Sequence, residues 1–187
     1  EVMLYPNGTW EYISRQPNPY AYQEPSTPIG AGVSGKRIGI ILRRKLLFVL
    51  RDGQLEDVIV YDTKGQPAYS YREGVYQIPY GWQVKYEPFS DRVTQFGPYE
   101  FKYHILSSRL ERVGACDIDY EMFSDRIRRI GGYDIKYDSF SNLIRGVGNI
   151  EILYDAFKER ATGLRGQDPG VEIYFMRNGK SRPNPLL

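Results

Sequence analysis

The chain has 187 residues, of which 41% are hydrophobic and 26% charged, so it can bury one core and form one globular domain, with or without an arm. Its 25 Lys and Arg residues and 23 Asp and Glu residues leave a net charge of +2, which provides no general field for nucleic acid or an anionic membrane. One cysteine, Cys116, excludes an internal disulfide framework, and one histidine, His104, excludes most histidine-based chemistry.

The first thirteen residues predict a β-hairpin. An apolar segment at 2–5 is followed by the turn sequence Pro6-Asn7-Gly8, and Trp10 and Tyr12 alternate with polar residues in the second strand. Residues 14–37 are rich in proline and glycine, which excludes a regular helix or a central strand. We expect this segment to be a linker or an extended arm.

The next segment contains the longest apolar run of the chain. Ile38 to Leu50 is interrupted by three basic residues at 43–45, so the run is shorter than the roughly 18 to 20 apolar residues of a transmembrane helix. It is separated from a second apolar run, Leu55 to Tyr61, by the hairpin-type turn Arg51-Asp52-Gly53, and both runs predict strands. A helix over 43–50 is the alternative.

Residues 82–166 contain an internal repeat, five copies of a 17-residue unit. A tyrosine column, an apolar column and a glycine column recur at this step. Their members are Tyr86, Tyr103, Tyr120, Tyr137 and Tyr154; Phe89, Leu106, Phe123, Phe140 and Phe157; and Gly97, Gly114, Gly131 and Gly148.

Each copy is predicted to contain a strand, a turn, a second strand and a tight turn. Cys116, Ile118 and Tyr120 alternate with two aspartates, which is the period of a strand with two unlike faces. The tight turns begin with glycine, as at Gly114-Ala115, which favours the type II′ turn of a two-residue hairpin. Antiparallel pairing follows.

Two architectures fit such a repeat, an antiparallel meander and a β-solenoid. A solenoid would stack Glu100, Asp117 and Asp134 in one column, and like charges directly opposite each other are destabilising. A meander instead places Arg112 opposite Asp117 and Arg129 opposite Asp134, and each such pair contributes roughly 0.2 to 1 kcal/mol. We therefore expect the meander.

Apolar residues of the second strand, such as Ile127 and Ile130, lie three positions apart rather than two. A β-bulge in each copy, or a sheet that is apolar on parts of both faces, explains this spacing. Two segments outside the repeats are interpreted as atypical copies: 58–65, with Tyr69 and Tyr71 beyond it, as a degenerate copy, and 171–175 as a terminal one.

These features predict an all-β fold, an antiparallel meander of 17-residue β-hairpin repeats with an N-terminal hairpin and an extended Pro/Gly-rich arm. The expected segments are the hairpin (1–13), the arm (14–37), strands with the degenerate repeat (38–81), the five repeats (82–166), and a terminal strand and tail (167–187).

The repeat motif resembles a known family. Tyr-Glu or Tyr-Asp, a turn and an apolar step, as in 120–127 and 137–144, resemble the YD repeats of bacterial surface and toxin-encapsulating proteins. More closely, the repeats and the opening segment 4–12 resemble uncharacterised exported proteins of Bacteroidetes-type bacteria that carry Ile-Gly-x-x-x-Ile-x-Tyr-Asp repeats. The resemblance covers the repeat half and the first dozen residues. It implies export and a β-rich scaffold, and brings no established activity.

Candidate catalytic chemistry is sparse. Gly30 to Lys36 has the glycine and lysine spacing of a phosphate-binding loop, but Arg37 stands where a magnesium-holding Ser or Thr is needed, and no strand is predicted before it. We read Cys116 as a small core residue and His104 as a surface residue. Asp117 and Asp119 could share a cation, but a solvated charged face explains them better. We therefore assign no catalytic, cofactor-binding or metal-binding residue.

The remaining expectation is binding. We expect a non-enzymatic structural or accessory subunit of a larger envelope or extracellular assembly, with protein partners contacted through Trp10, Tyr20, Tyr22 and Trp82. The alternative is a carbohydrate-binding module in which the tyrosine column stacks on sugars, and an NTPase is a distant third. The sequence begins at Glu1, as it would after removal of a signal peptide, although a trimmed tag or another cleavage gives the same start. We expect export to the periplasm, the cell surface or beyond.

Overall fold

The computed structural model describes residues 3–4, 10–12, 36–155 and 160–176, and the side chains within 36–155 and 160–175. In these residues the regular structure is entirely β, and the strand pairs are antiparallel. The predicted all-β class and the antiparallel meander are therefore confirmed. No helix in this part of the chain is long and apolar enough to cross a membrane.

The strands form two sheets. In spatial order, the first sheet contains β1 (Met3–Leu4), β2 (Trp10–Tyr12), β18 (Val171–Met176), β3 (Arg37–Leu42), β4 (Leu46–Arg51), β5 (Gln54–Tyr61), β6 (Pro67–Ser70) and β7 (Gly74–Val75). The second, which we call the repeat sheet, contains β8 (Val84–Tyr86), β9 (Val93–Phe96), β10 (Tyr99–Tyr103), β11 (Leu110–Val113), β12 (Cys116–Tyr120), β13 (Ile127–Ile130), β14 (Tyr133–Tyr137), β15 (Ile144–Val147), β16 (Ile150–Tyr154) and β17 (Ala161–Arg165), in sequence order.

The apolar run Ile38 to Leu50 forms two strands rather than one. β3 and β4 pair from Ile38↔Leu50 to Leu42↔Leu46, and Arg43 and Arg44 make the turn with φ of +52° and +56°. The basic triplet lies in the turn because three consecutive charged side chains cannot enter a strand whose neighbours are buried on both faces. The alternative of a helix over 43–50 is wrong.

The two atypical copies belong to the first sheet. Val58 to Tyr61 lies in β5, between β4 and β6, and Val171 to Phe175 pairs with β3 and β2. Neither segment extends the ladder of the repeat sheet, and their interpretation as degenerate and terminal copies stays a prediction. Their local sequence predicts a strand, but the partner of a strand depends on long-range packing. The first hairpin strands, β1 and β2, also pair with each other, and β2 lies against β18.

The repeat sheet has the predicted cross-strand charges. Arg112 lies opposite Asp117 and Arg129 opposite Asp134, and both pairs form salt bridges, with the second at 2.7 Å. A bulge occurs at the end of the first strand in each copy, where the register shifts just before the tyrosine of the repeat. Ile127 and Ile130 can then both face the core although they are three residues apart.

The main core lies between the two sheets. Phe48 and Ile40 of the first sheet and Phe96, Ile127 and Ile130 of the repeat sheet are fully buried in one cluster. Complete burial of such a side chain stabilises the fold by about 1.5–3 kcal/mol. The first sheet also has a second buried apolar cluster, and its members are Ile41, Leu47, Val49, Ile59, Tyr61 and Tyr174. These residues alternate with the main-core residues, so the central strands of the first sheet are buried on both faces.

Candidate binding surface along the loop tips

Each copy reverses direction twice, and the two kinds of turn lie at opposite ends of the strands of the repeat sheet. We call the row of turns at each end an edge. At one edge, the glycine edge, the turn has two residues and begins with a glycine at φ between +54° and +58°. A Cβ atom at Gly97 would lie only 2.3 Å from the Trp82 ring. Trp82 is half-buried and packs edge-on against Phe96 and Tyr99, with ring centroids 5.6 and 6.1 Å apart. The Trp82 ring therefore leaves no room for a side chain at Gly97, the first turn of the glycine edge.

At the opposite edge, the tip edge, six-residue loops join the strands. The four described loops, numbered first to fourth in chain order, are 87–92, 104–109, 121–126 and 138–143. Each carries at least one large apolar side chain that is 82% to 108% exposed. We call these side chains the tip row, and they are Phe89, Ile105, Leu106, Met122, Phe123 and Phe140. Two strands separate neighbouring loops, so successive tips are about 9.6 Å apart.

Hydrogen bonds within each loop fix its shape. The N–H of the first loop residue donates to the carbonyl of the sixth, at 2.7 to 2.9 Å in all four loops. Ser90, Ser124 and Ser141 each accept, through Oγ, the N–H of the residue two positions on. In the second loop His104 has a comparable role, since its Nδ1 accepts the N–H groups of Leu106 and Ser107. The tip row is therefore carried on a defined backbone.

Two members of the tip row have an unfavourable backbone conformation for their residue type. Phe89 and Phe123 have φ of +64° and +62°, in the left-handed region that favours glycine and asparagine. A bulky residue there costs about 1–2 kcal/mol. Both side chains are also fully exposed, so they gain nothing from burial. A phenylalanine at these positions stabilises neither the loop backbone nor the core.

A tyrosine from the next copy holds each loop. The hydroxyl groups donate to the carbonyl of the first residue after the preceding loop, at 2.6 to 2.7 Å; the tyrosines are Tyr103, Tyr120, Tyr137 and Tyr154. An arginine lies over each ring at 4.1 to 5.3 Å from guanidinium carbon to ring centroid; in the same order these are Arg92, Arg109, Arg126 and Arg145. We call each unit an arginine–tyrosine brace. Burial raises the pKa of all four hydroxyls, which keeps them protonated as donors.

The fourth loop is held differently. Leu143 is buried at the position where the first three loops have arginine, and Arg145, two residues later, covers Tyr154 instead. The backbone N–H of Phe140 donates to Asp138, and Arg145 donates to the other carboxylate oxygen at 2.9 Å. These contacts, the Phe140 hydrogen bond first, lower the pKa of Asp138. Beside this loop, an open cleft of about 550 Å³ is lined by residues of the third and fourth loops, including Glu121 and Phe140.

The structure separates the residues singled out from the sequence. Tyr86 is 53% exposed on the edge strand, whereas the other four members of the tyrosine column are half-buried in the braces. Trp82 is half-buried at the glycine edge. The side chain of Trp10, and all of Tyr20 and Tyr22, lie outside the described residues.

The tip row is the surface that sequence analysis does not single out. The column of Phe89, Leu106, Phe123 and Phe140 is visible at the 17-residue step, but an apolar column also fits a core. The position of this column within each copy is the feature that could have identified it as exposed. The column falls between two predicted strands, next to turn-forming serine and aspartate, where a side chain does not face the sheet.

The titratable residues form no reactive cluster in the described part of the chain. Within those residues no group of three or more His, Cys, Asp or Glu side chains could hold a metal ion. Cys116 is buried, and burial raises the pKa of its thiol. Asp117 and Asp119 face arginines of the sheet surface. Of the segment that resembles a phosphate-binding loop, residues 30–35 lie outside the described residues.

Comparison of the chain with protein-family models, curated proteins and solved structures found no match. The resemblance to YD-repeat and Bacteroidetes-type exported proteins therefore stays a prediction.

Proposed function

We propose that the protein is a non-enzymatic, exported structural or accessory subunit that binds a protein partner through the tip row, within a larger envelope or extracellular assembly. The observation that carries this proposal is the tip row itself. Six large apolar side chains are almost entirely in solvent along one edge of a sheet, on loops fixed by hydrogen bonds and braces. A row of large apolar side chains held in solvent on ordered loops is typical of an interaction site.

The backbone of the loops supports a role in contact rather than in folding. Asparagine or glycine in place of Phe89 and Phe123 would make the loops more stable, because both residues fit a positive φ better than phenylalanine does. On binding, each phenylalanine can bury about 150–250 Å². Buried aromatic residues dominate the energetics of many protein interfaces.

The charges beside the tip row favour a protein partner over nucleic acid or an anionic lipid surface. The side chain of Asp125 is 72% exposed and that of Glu87 is 43% exposed. The arginines of the first three loops lie on tyrosine rings. Arg109 and Arg92 also pair with Asp125 and Glu87, at 3.5 and 3.4 Å, so these loops offer a polyanion ion-paired arginines rather than free cations.

A carbohydrate partner is the alternative. In the braces, the tyrosine hydroxyls donate to backbone carbonyls and one ring face is covered by arginine, which leaves less ring surface for a sugar. The exposed aromatic rings are those of the tip row and Tyr86. Glycan binding that Tyr120→Ala and Tyr137→Ala abolish without unfolding would support this alternative.

Site-specific photo-crosslinking tests the proposed function. A benzophenone amino acid replaces Phe123, and in a matched control it replaces Tyr80, which is equally exposed but lies outside the tip row. In the native envelope or culture, we expect a discrete protein adduct from position 123 and none from position 80. In size-exclusion chromatography with light scattering, the untagged native protein should co-elute with the protein that forms the adduct. Equal adducts from both positions, or no adduct with a monomer of 21.7 kDa, would contradict the proposal.

A further inference from the structure

We infer that the third loop is the anchor of the tip row, and that Gly53 positions this loop for the partner. The inference rests on the proposed function and names the part of the same surface that contributes most to binding. The third loop carries two apolar side chains, Met122 and Phe123, which are 82% and 100% exposed. Central contact residues of this kind fill pockets in the partner, so the partner that fits is a protein with an apolar pocket for both side chains.

The turn between β4 and β5 meets the repeat sheet at this loop. Gly53 is the last residue of that turn, and its carbonyl oxygen accepts the N–H of Ile127 at 2.9 Å, where the third loop ends and β13 begins. The Tyr137 hydroxyl, part of the brace that holds this loop, lies 3.3 Å from the same oxygen in a second, longer hydrogen bond. Gln54 and Arg126 form a β-bridge beside them. Of the four described loops, this is the one that hydrogen bonds connect to the first sheet.

A side chain at position 53 has no room. A Cβ atom on Gly53 would lie 2.9 Å from both Arg126 Cγ and Tyr137 Cε1, the two side chains of the brace at this loop. Arg126, the last residue of the loop, also donates to the side chain of Glu121, the first residue, at 2.6 Å. A displaced Arg126 would therefore shift both ends of the loop that carries the exposed pair. Gly53 acts on the partner through these side chains, so it is a positioning residue.

Hydrogen bonds also join the third loop to the loops on both sides. Arg109 of the second loop donates to the Ser124 carbonyl at 3.4 Å, and Arg126 donates to Asn142 Oδ1 of the fourth loop at 3.4 Å. A loop held from three directions is ordered before it meets a partner, which reduces the conformational entropy lost on binding. An exposed aromatic side chain therefore contributes more to affinity at Phe123 than on a loop with fewer restraints.

The anchor is tested by following the adduct from one loop while another loop is changed. A benzophenone amino acid in place of Phe140 reports on binding in the native envelope or culture. The double variant Met122→Ser, Phe123→Ser should lower the yield of this adduct about tenfold or more, as expected for loss of a hot spot. The matched variant Ile105→Ser, Leu106→Ser removes the exposed pair of the second loop and should lower the yield less than about threefold. Equal losses would overturn the third loop as the anchor.

Two glycine variants test the positioning role. Gly53→Ala and Gly81→Ala place alanine at nearly the same φ, +81° and +78°, but only the first has atoms within 4 Å of the added Cβ. The backbone strain is shared, so the clash with the brace is the difference. Gly53→Ala should speed hydrogen exchange in the third loop but not in the first, and lower the adduct from position 140 about tenfold. Gly81→Ala should change neither, and equal effects of the two variants would overturn the role of Gly53.

Hydrogen exchange in the wild-type chain tests the same contact without a substitution. The Ile127 amide, which donates to Gly53, should exchange more slowly than the Leu110 and Ile144 amides at the same position of the neighbouring copies. Equal rates would overturn the contact, whether or not Gly53→Ala folds.

The results also separate the inference from the proposed function. An adduct that loses no yield in the third-loop variant overturns the anchor and leaves the proposed function in place. A chain that gives no adduct from position 123 or position 140 overturns both.

Discussion

The two edges of the repeat sheet have the same strands and the same 17-residue period, but their turns differ in length and exposure. At the glycine edge, two-residue turns pack beneath aromatic side chains such as Trp82 and Tyr99. At the tip edge, six-residue loops carry apolar side chains into solvent. One repeat therefore serves two purposes, because the short turn closes the core and the long loop is free to carry a contact residue.

The largest effect is expected at the glycine edge. Gly97→Val should destabilise the protein by about 3 kcal/mol or more, since it combines a β-branched residue at φ +54° with a clash against the Trp82 ring. The control is Gly132→Asn, at φ +92° with no atom within 4 Å of the added Cβ, which carries backbone strain but no clash and should therefore cost clearly less. Urea unfolding measures both. Equal destabilisation by the two variants would show that packing does not close this edge.

A smaller loss is expected at an arginine–tyrosine brace, beside the loops of the tip edge. Tyr120→Phe removes the part-buried hydrogen bond from the hydroxyl to the Leu110 carbonyl and should cost about 0.5–1.5 kcal/mol, the net contribution of one such bond. Hydrogen exchange should also increase in the second loop more than in the third. An increase spread evenly over the four loops would contradict the role of the brace in holding one loop.

At the tip edge the sign of the effect should reverse. Phe123→Asn should leave stability unchanged or raise it by about 0.5–1 kcal/mol, since asparagine tolerates φ of +62° and the phenylalanine is fully exposed. Phe140→Asn is the matched control, since Phe140 is equally exposed but is not among the residues with positive φ. Thermal unfolding of both variants measures the difference. A clear loss of stability in Phe123→Asn would show that this tip is part of the core.

The smallest effect is expected from acid at the fourth loop. The lowered pKa of Asp138 means that its contribution to stability is present above the unfolded-state pKa, near the ordinary 3.8, and is lost as pH falls through the lower folded-state pKa. As the pH falls below that folded-state pKa, and hence below 3.8, exchange of the Phe140 amide, which donates to Asp138, should accelerate relative to that of the Phe123 amide. Nuclear magnetic resonance measures both amides in one sample, and parallel exchange rates would contradict the prediction.

Sequence features within one repeat predicted the repeat sheet in detail. Opposite charges flanking the glycine turns predicted the pairs Arg112–Asp117 and Arg129–Asp134, and the bulge was one of the two explanations that the three-residue spacing left open. Both features act between residues close in sequence, where turn length and side-chain period fix the register.

Features that depend on distant parts of the chain were not predicted. Val171 to Phe175 has a strand pattern that fits either sheet, and only packing between β2 and β3 assigns it to the first. The braces join residues of neighbouring copies, ten positions apart from tyrosine hydroxyl to carbonyl, so no single copy reveals them. The tip row required knowing which residue of a copy lies beyond the ends of its strands.

The arginine–tyrosine brace also links the length of the tip edge to the number of copies in the repeat sheet. Each tyrosine holds the loop of the preceding copy. Every interior copy therefore contributes its tyrosine to one brace, and its own loop is held by the tyrosine of the next copy. Insertion or deletion of a whole copy would keep these contacts between the copies that remain. The length of the contact edge would then change in increments of about 9.6 Å, one tip at a time. Chains with different numbers of copies would contact different lengths of a partner's surface through loops with the same local chemistry.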